Sequence, residues 1–238
     1  MVQTNLRKIP TAFYRGYELG NGLNDWSANP RGSSPAVIKN ALYANRAHIQ
    51  VFGANLYWSI IVDAYRFGAD TTPKAFHEWW DQFIRNAAYA DPSLYSVNNG
   101  ELVFIEDKNG TTYTLGVDVS AGATSMSLDD DTGIAVDDIL FIYNPTQTTG
   151  RESDLILVTG TPGAGVINFT SLRPNFSTLS YSYDVADNPV IYPVEAAWTG
   201  CYFEEMPELP PAQESSFGHF RKSIPMRFLS NGDRYPTP

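Results

Sequence analysis

The sequence predicts a mainly β protein with one prominent amphipathic helix and a small all-β module in the second half of the chain. Three observations predict it. Short runs of β-branched and aromatic residues, divided by Gly, Pro, Asn and Asp, recur along most of the chain. One segment, 72–90, places its apolar residues at helical spacing. From 116 to 193 helical periodicity disappears, and short apolar runs follow one another at spacings of about ten residues with turn residues between them.

In chain order, the residues up to Leu19 show no clear period. Gly16, Gly20, Gly22, Pro30, Gly32 and Pro35 then punctuate a long loop in which Trp26 serves as an anchor in its own core. Ser34-Pro35 reads as an N-cap and first-turn proline, with a short helix from Asn40 to Arg46 behind it. His48 to Phe52 alternates and Asn55 to Tyr65 is rich in strand formers, so Gly53-Ala54-Asn55 reads as a hairpin turn. Thr72-Pro73 opens the helix. Phe76, Trp79, Trp80, Phe83, Ile84, Ala87 and Ala88 share its apolar face, and Asp91-Pro92 ends it. Leu102 to Glu106 and Thr111 to Val117 read as a hairpin across Asn109-Gly110. The strands of the small module are Ser125–Leu128, Ile139–Tyr143, Leu155–Val158, Val166–Phe169 and Val190–Tyr192. Ala197 to Glu205, a Pro-rich link from Pro207 to Pro211, a long strand from Phe217 to Leu229 and a loose tail from Asn231 to Pro238 complete the chain. The chain therefore reads in three stretches, 1–115 with the helix at 72–90, 116–193, and 194–238.

Composition narrows the function. The chain has 238 residues, 43% hydrophobic and 13% aromatic, which excludes a disordered chain, while 18% charged residues is below the usual quarter and fits surface that another subunit covers. Sixteen Lys and Arg against 26 Asp and Glu give a net charge of −10, which disfavours general nucleic-acid binding. Cys201 is the one cysteine, so no internal disulfide or cysteine-based metal site can form. No apolar run follows Arg7 and Lys8, and the run from Leu56 to Val62 is too short to cross a bilayer; the expectation is a soluble product of a cytoplasm, with no signal peptide and no membrane partner.

No chemical motif is complete. His77-Glu78-Trp79-Trp80-Asp81 has Asp81 where a zinc-protease helix needs its second histidine, and His48 and His219 are far off in sequence. Asp129-Asp130-Asp131-Thr132-Gly133, followed by Asp137-Asp138, mimics the opening of a calcium loop but lacks its closing acid, so it reads as a solvated turn. Gly160 to Gly165 lacks the Lys-Ser/Thr of a phosphate loop and reads as a hairpin turn. Cys201 with His219 has no third group to orient it, and a buried thiol is expected. Glu204, Glu205 and Glu208 beside Trp198 and Tyr202 read as a solvated charge cluster. The chain is therefore expected to be no enzyme, with no cofactor and no metal.

The run Val119-Ser120-Ala121-Gly122-Ala123-Thr124-Ser125-Met126-Ser127-Leu128 leads to Thr132-Gly133-Ile134-Ala135-Val136-Asp137-Asp138-Ile139-Leu140-Phe141-Ile142. Glu152, the strand Leu155 to Val158, Gly163, Val166 to Phe169 and Asn188-Pro189-Val190 follow. Together these residues resemble a small β-module recurrent in bacteriophage virion proteins, in which a G-A-T-S-hydrophobic strand precedes a G-F-A-V-G-D turn. This chain departs from that pattern with Asp137 in place of glycine and Ile134 in place of phenylalanine. The flanking segments are similar in element order to the tail-tube fold, a β-sandwich or barrel with a packed helix, found in phage tail-tube and distal tail proteins and in type VI secretion.

The resemblance implies that 1–115 and 194–238 form one tail-tube-like β domain containing helix 72–90, a β-sandwich or barrel, with 116–193 as an inserted small β-module. It implies a structural subunit of a phage tail (tube, distal tail or tail-tip ring) located in the virion tail after synthesis in the host cytoplasm. It implies hexameric rings of this chain, contacts with other tail proteins, and genomic DNA passing through without specific binding. Strand pairing between subunits is expected to use the segment from Leu56 to Val62 and the strand from Phe217 to Leu229, with Tyr57, Trp58, Ile60, Phe220, Ile224, Met226 and Phe228 at the contact. The alternative is a host-receptor or glycan-binding virion protein, with aromatic residues such as Trp26 or Tyr181 stacking on sugars.

Overall fold

The computed structural model describes residues 10–20, 22–32, 37–40, 48–51, 56–68, 78, 80–81, 83, 100–146, 152–173, 177–204, 220–230 and 233–235. Its chain starts with a tight hairpin. Strands β1 (Thr11–Tyr14) and β2 (Tyr17–Glu18) pair through Tyr14 and Tyr17, and the two residues between them, Arg15 and Gly16, have φ of 52° and 77°. Left-handed conformation at both central residues is what a two-residue hairpin turn requires. All four residues of β1 are buried, so both faces are covered and no alternation marks the strand in the sequence.

Next comes β3 (Gly22–Gly32), where the sequence predicts a loop. The glycines and Pro30 are compatible with a strand here because β3 is the outermost of its sheet, where a missing N–H breaks no ladder. Strands β4 (Val37–Asn40) and β5 (His48–Val51) pair with each other in a separate two-stranded sheet. This corrects two expectations: Asn40 ends a strand instead of opening a helix, and the strand from His48 does not pair with the one from Asn55. The remainder of the expected helix, 41–47, lies outside the described residues.

Strand β6 (Leu56–Gly68) is followed by β7 (Gly100–Ile105) and β8 (Tyr113–Thr114). The Asn109-Gly110 turn forms, with Gly110 N–H donating to Asp107 O at 3.0 Å, yet it does not make a hairpin of β7 and β8. β7 pairs with β1 and with a later strand, and β8 joins the other sheet. The turn fixes a local reversal only. β7 is buried at all six positions and takes its neighbours on both edges from distant parts of the chain.

The chain continues through β9 (Ser125–Ser127), β10 (Ile139–Tyr143), β11 (Ser153–Val158) and β12 (Val166–Ser171), then a 3-10 turn at Val185–Asp187. It ends with β13 (Val190–Pro193), β14 (Ala196–Phe203), β15 (Phe220–Ser230) and β16 (Arg234–Tyr235). β16 pairs with β14, so this part of the expected loose tail is a strand.

The first sheet runs β2-β1-β7-β14-β15-β6-β3, with β16 also on β14. It curls on itself. Leu23 N–H, at the start of β3, donates to Pro10 O just before β1 at 2.9 Å. Trp26 of β3 stacks on Phe104 of β7 across the interior, with ring centroids 4.4 Å apart. Around them Tyr14, Leu19, Ile60, Val62, Leu102, Trp198, Ile224, Met226 and Phe228 form one buried cluster.

The second sheet, β8-β13-β10-β11-β12-β9, closes into a six-stranded barrel. Gly116 N–H donates to Ser127 O at 2.9 Å and Asp129 N–H to Thr114 O at 3.0 Å, joining the two ends of the sheet. Leu140, Ile142, Ile156, Val158, Ile167, Phe169 and Ile191 fill the interior. The alternate side chains of β10, Ile139 and Phe141, point the other way and meet Phe13, Val103 and Ile105 of the first sheet. Phe13 and Phe141 are 4.9 Å apart at their centroids. Two-fold side-chain alternation thus gives β7 and β10 two apolar faces each, one toward their own interior and one toward the joint.

The predicted fold class needs correction. The named elements are strands and one 3-10 turn, and a prominent amphipathic helix is not among them. Of the segment 72–90 only Glu78, Trp80, Asp81 and Phe83 are described; their backbone is helical, Trp80 and Phe83 join the first core, and Glu78 and Asp81 are exposed. Of the apolar face expected there, Trp80 and Phe83 turn inward, and the rest lies outside the described residues. The architecture is set by strand pairing, which leaves a nearly all-β protein.

Candidate functional site

The strongest concentration of ionisable chemistry is a buried network where the two sheets meet. Asp154 stands on β11 and is wholly buried. Its carboxylate accepts from Ser180 N–H at 3.1 Å, Tyr181 N–H at 3.2 Å and Tyr183 O–H at 3.0 Å. Arg173, just after β12, brings its Nη1 to 3.8 Å from Asp154 Oδ1 and hydrogen-bonds through Nε to Glu101 of β7. The guanidinium also lies over the Tyr181 ring, 5.4 Å from its centroid. Arg173 therefore ties the barrel to the first sheet, reaching across the joint beside the Phe13–Phe141 contact.

Burial pushes the Asp154 carboxyl above its usual range, opposed by the Arg173 charge and by the donors from Ser180 and Tyr183. Burial and the neighbouring Asp154 charge hold the Tyr183 phenol well above its ordinary value. The Arg173 side chain lies between the Glu101 and Asp154 carboxylates, and the three side chains are 7%, 5% and 0% exposed. The network positions; it offers no reacting atom to solvent.

The other candidates resolve into local structure. The Cys201 thiol is fully buried, donates to Trp198 O at 3.4 Å and is pushed up to about 12 by burial, which keeps it a thiol at neutral pH. His219, its expected companion, lies outside the described residues, as do His77, Glu205 and Glu208. In the acidic run, Asp129 Oδ2 accepts from Thr114 Oγ1 at 2.9 Å, Asp130 Oδ1 from Thr132 N–H at 2.9 Å and Asp131 Oδ2 from Gly165 N–H at 3.2 Å. Asp138 Oδ2 takes Ala135 N–H at 2.7 Å. These carboxylates cap turns, the role in which Asp competes best. In the glycine-rich turn, Gly163 and Val166 exchange backbone hydrogen bonds around Ala164 and Gly165, both at positive φ.

Four of the seven residues expected at subunit contacts lie in the core. Ile60, Ile224, Met226 and Phe228 have no exposed surface and belong to the first core. Tyr57 and Trp58 are half-buried. Phe220 is in register with Gly68 at the far end of the β15–β6 ladder. β6 has β3 on one side and β15 on the other, and β15 is bonded to β6 along its length and to β14 from Phe228 on. Trp26 and Tyr181, the candidate sugar-stacking residues, are half-buried against Phe104 and Arg173 respectively. Glu101, Asp154 and Arg173 were missed by sequence reasoning, although a carboxylate embedded in an apolar strand, as in Ser153-Asp154-Leu155-Ile156, is the available signal of a buried charge. Among the described residues, no helix is long and apolar enough to cross a membrane.

No protein family matches this sequence, and no curated protein does. Among solved structures the chain is similar to the gp54 tailspike of Acinetobacter baumannii bacteriophage AP22, solved in complex with A. baumannii capsular saccharide. The identity is 22% and the TM-score 0.29, over 36% of this chain and 15% of that one. It is also similar to the tailspike protein gp49 of Pseudomonas phage LKA1, at 22% identity and a TM-score of 0.28, over 35% of this chain and 14% of that one. Likenesses at these scores carry no argument about fold or role.

Proposed function

We propose that this chain is a non-enzymatic component of a phage virion tail whose inserted barrel makes the outward contact, with a host receptor or glycan as its target. The observation that carries this reading is the barrel itself: residues 113–193, which contain the segment from Val119 to Val190 that resembles the virion β-module, form a closed unit with its own interior, mounted on the curled sheet by an apolar joint and a buried ion pair. The barrel also carries four of the large apolar side chains exposed among the described residues, Val117, Val136, Val166 and Val185. A role as tube or ring subunit is the second reading, and it keeps the resemblance of the flanks. It is less favoured because β6 is flanked on both sides and Ile60, Ile224, Met226 and Phe228 are spent on the core.

The test is binding of the full chain to a panel of bacterial surface polysaccharides and to whole host cells. Saturable binding that soluble polysaccharide competes away, and that charged replacements at Val117 and Val166 abolish without loss of folding, is the expected result. Absence of binding, together with rings of six or twelve copies in purified virions, would overturn it in favour of the tube reading.

A further inference from the structure

The outer side of β3 is a long edge that the described residues leave open. β3 is bonded to β6 from Gly22 to Gly32, while on its other side the bond from Leu23 to Pro10 is the last to a described residue. Beyond it the edge shows how an unpaired donor is satisfied locally. Trp26 N–H is taken by the side chain of its own neighbour, Asp25 Oδ1, at 2.8 Å. The two-residue period of a strand puts the Ala28 N–H on that same side, and it puts Pro30 where its absent donor breaks no bond to β6.

The sequence along this edge is complementary to itself about Ala28. In Asp25-Trp26-Ser27-Ala28-Asn29-Pro30-Arg31, an antiparallel copy with Ala28 opposite Ala28 sets Asp25 against Arg31, Trp26 against Pro30 and Ser27 against Asn29. Asp25, Ser27, Asn29 and Arg31 are exposed, and the six-residue separation of Asp25 and Arg31 keeps both on one face. Among the described residues neither of the two charges has an ion-pair partner. Trp26 and Ala28, half-buried on the opposite face, gain cover from the same arrangement.

We propose that a second copy of this chain adds to the open edge of β3, antiparallel and centred on Ala28, so that the two curled sheets become continuous. The Ala28 N–H and C=O of each copy bond to those of the other, each Trp26 N–H turns from Asp25 to the opposing Pro30 C=O, and the released Asp25 carboxylate meets the opposing Arg31. The contact is two-fold, so it closes a pair and stops; a larger ring would need a second surface. It stands apart from the proposed role in binding, because it is measured on the purified chain without any ligand.

The experiment is sedimentation velocity of the full chain over a concentration series, with melting curves as the control for folding. A reversible dimer is expected. Asp25→Arg and Arg31→Asp each create two like-charge pairs in the dimer and weaken it by about tenfold or more, while the double exchange restores affinity to within about threefold of the parent. Ala28→Pro removes a donor from the open side only, so it abolishes the dimer and leaves the melting temperature unchanged. A parent that stays monomeric into the range of roughly a hundred micromolar overturns the proposal. So does a double exchange that fails to restore pairing, or a larger oligomer indifferent to all three variants. Ala28→Pro lowering the melting temperature without altering assembly also overturns it, by showing that the chain's own residues cover the edge.

Discussion

Replacing Arg173 by Met removes the one cation that stands between Glu101 and Asp154 while keeping most of the side chain's apolar stem. Both carboxylates are at most 5% exposed, so neither gains water in exchange. Breaking a buried pair by removing one partner costs about 3–5 kcal/mol, because the charge left behind keeps its desolvation penalty. For a chain of this size each kcal/mol moves the melting temperature by about 2–4 °C, which predicts a fall of about 6–20 °C at pH 7. The pH dependence carries the sharper test. The Asp154 carboxyl already lies above its usual range through burial, and losing the Arg173 charge raises it further. A group whose folded pKa is raised contributes stability that is present below its unfolded pKa and is lost as pH rises through the folded one. Hence the deficit of Arg173→Met against the parent is largest at neutral pH and shrinks as the pH falls toward the ordinary carboxyl range near about 4. Urea unfolding of both proteins at pH 7 and pH 5 measures this. Adding Asp154→Asn to Arg173→Met recovers part of the loss, since the charge that was stranded is gone. A variant that melts within about 2 °C of the parent at pH 7, or a deficit that does not change with pH, would refute the network as an electrostatic tie.

Further outcomes follow from the packing. Phe141→Ala empties the joint opposite Phe13 and is expected to cost about 3–5 kcal/mol in urea unfolding, with a second transition emerging as the two units uncouple. Gly100→Ala is expected to be strongly destabilising, because a Cβ there would sit 2.6 Å from the backbone oxygen of Cys201 and 2.9 Å from the Tyr14 ring; circular dichroism of the purified variant checks it. Cys201 is expected to resist thiol reagents in the native protein at pH 8 and to react fully in denaturant, which a colorimetric thiol assay reads directly. Met226→Pro, in the middle of the β15–β6 ladder and inside the core, is expected to lower the melting temperature sharply instead of acting on assembly alone.

The strands of the barrel were legible because their signal is local. Val166–Phe169 alternates between exposed and buried positions, Ile139–Tyr143 is a short continuous apolar run, and Asp, Gly and Asn punctuate them where turns are needed. The long strand β6 announced itself by its β-branched and aromatic content, and β15 by the alternation of Ile224, Met226 and Phe228 with Pro225 and Arg227. Which strands pair is a different question, and it belongs to the tertiary structure. Asn109-Gly110 makes its turn, but whether the strands beside it form a hairpin depends on what else competes for their edges. Here β1 and β14 take β7, and β13 takes β8. The same competition hid β1, whose fully buried residues show no period, and β3, whose Gly and Pro are tolerable only because it is outermost. It also placed Ile60, Ile224, Met226 and Phe228 in the core, since an apolar side chain on a strand is equally suited to a core or a contact until the sheet curls and gives it an inside. The buried tie of Glu101, Arg173 and Asp154 comes from three segments up to 72 residues apart, and the free energy that makes such a triad tolerable exists only once burial and partner arrive together. Residue pattern set the strands and their inward faces; strand partners, the open edge and the charged joint came from long-range packing, because edges and buried charges are satisfied by whatever lies across from them and not by what lies next in the chain.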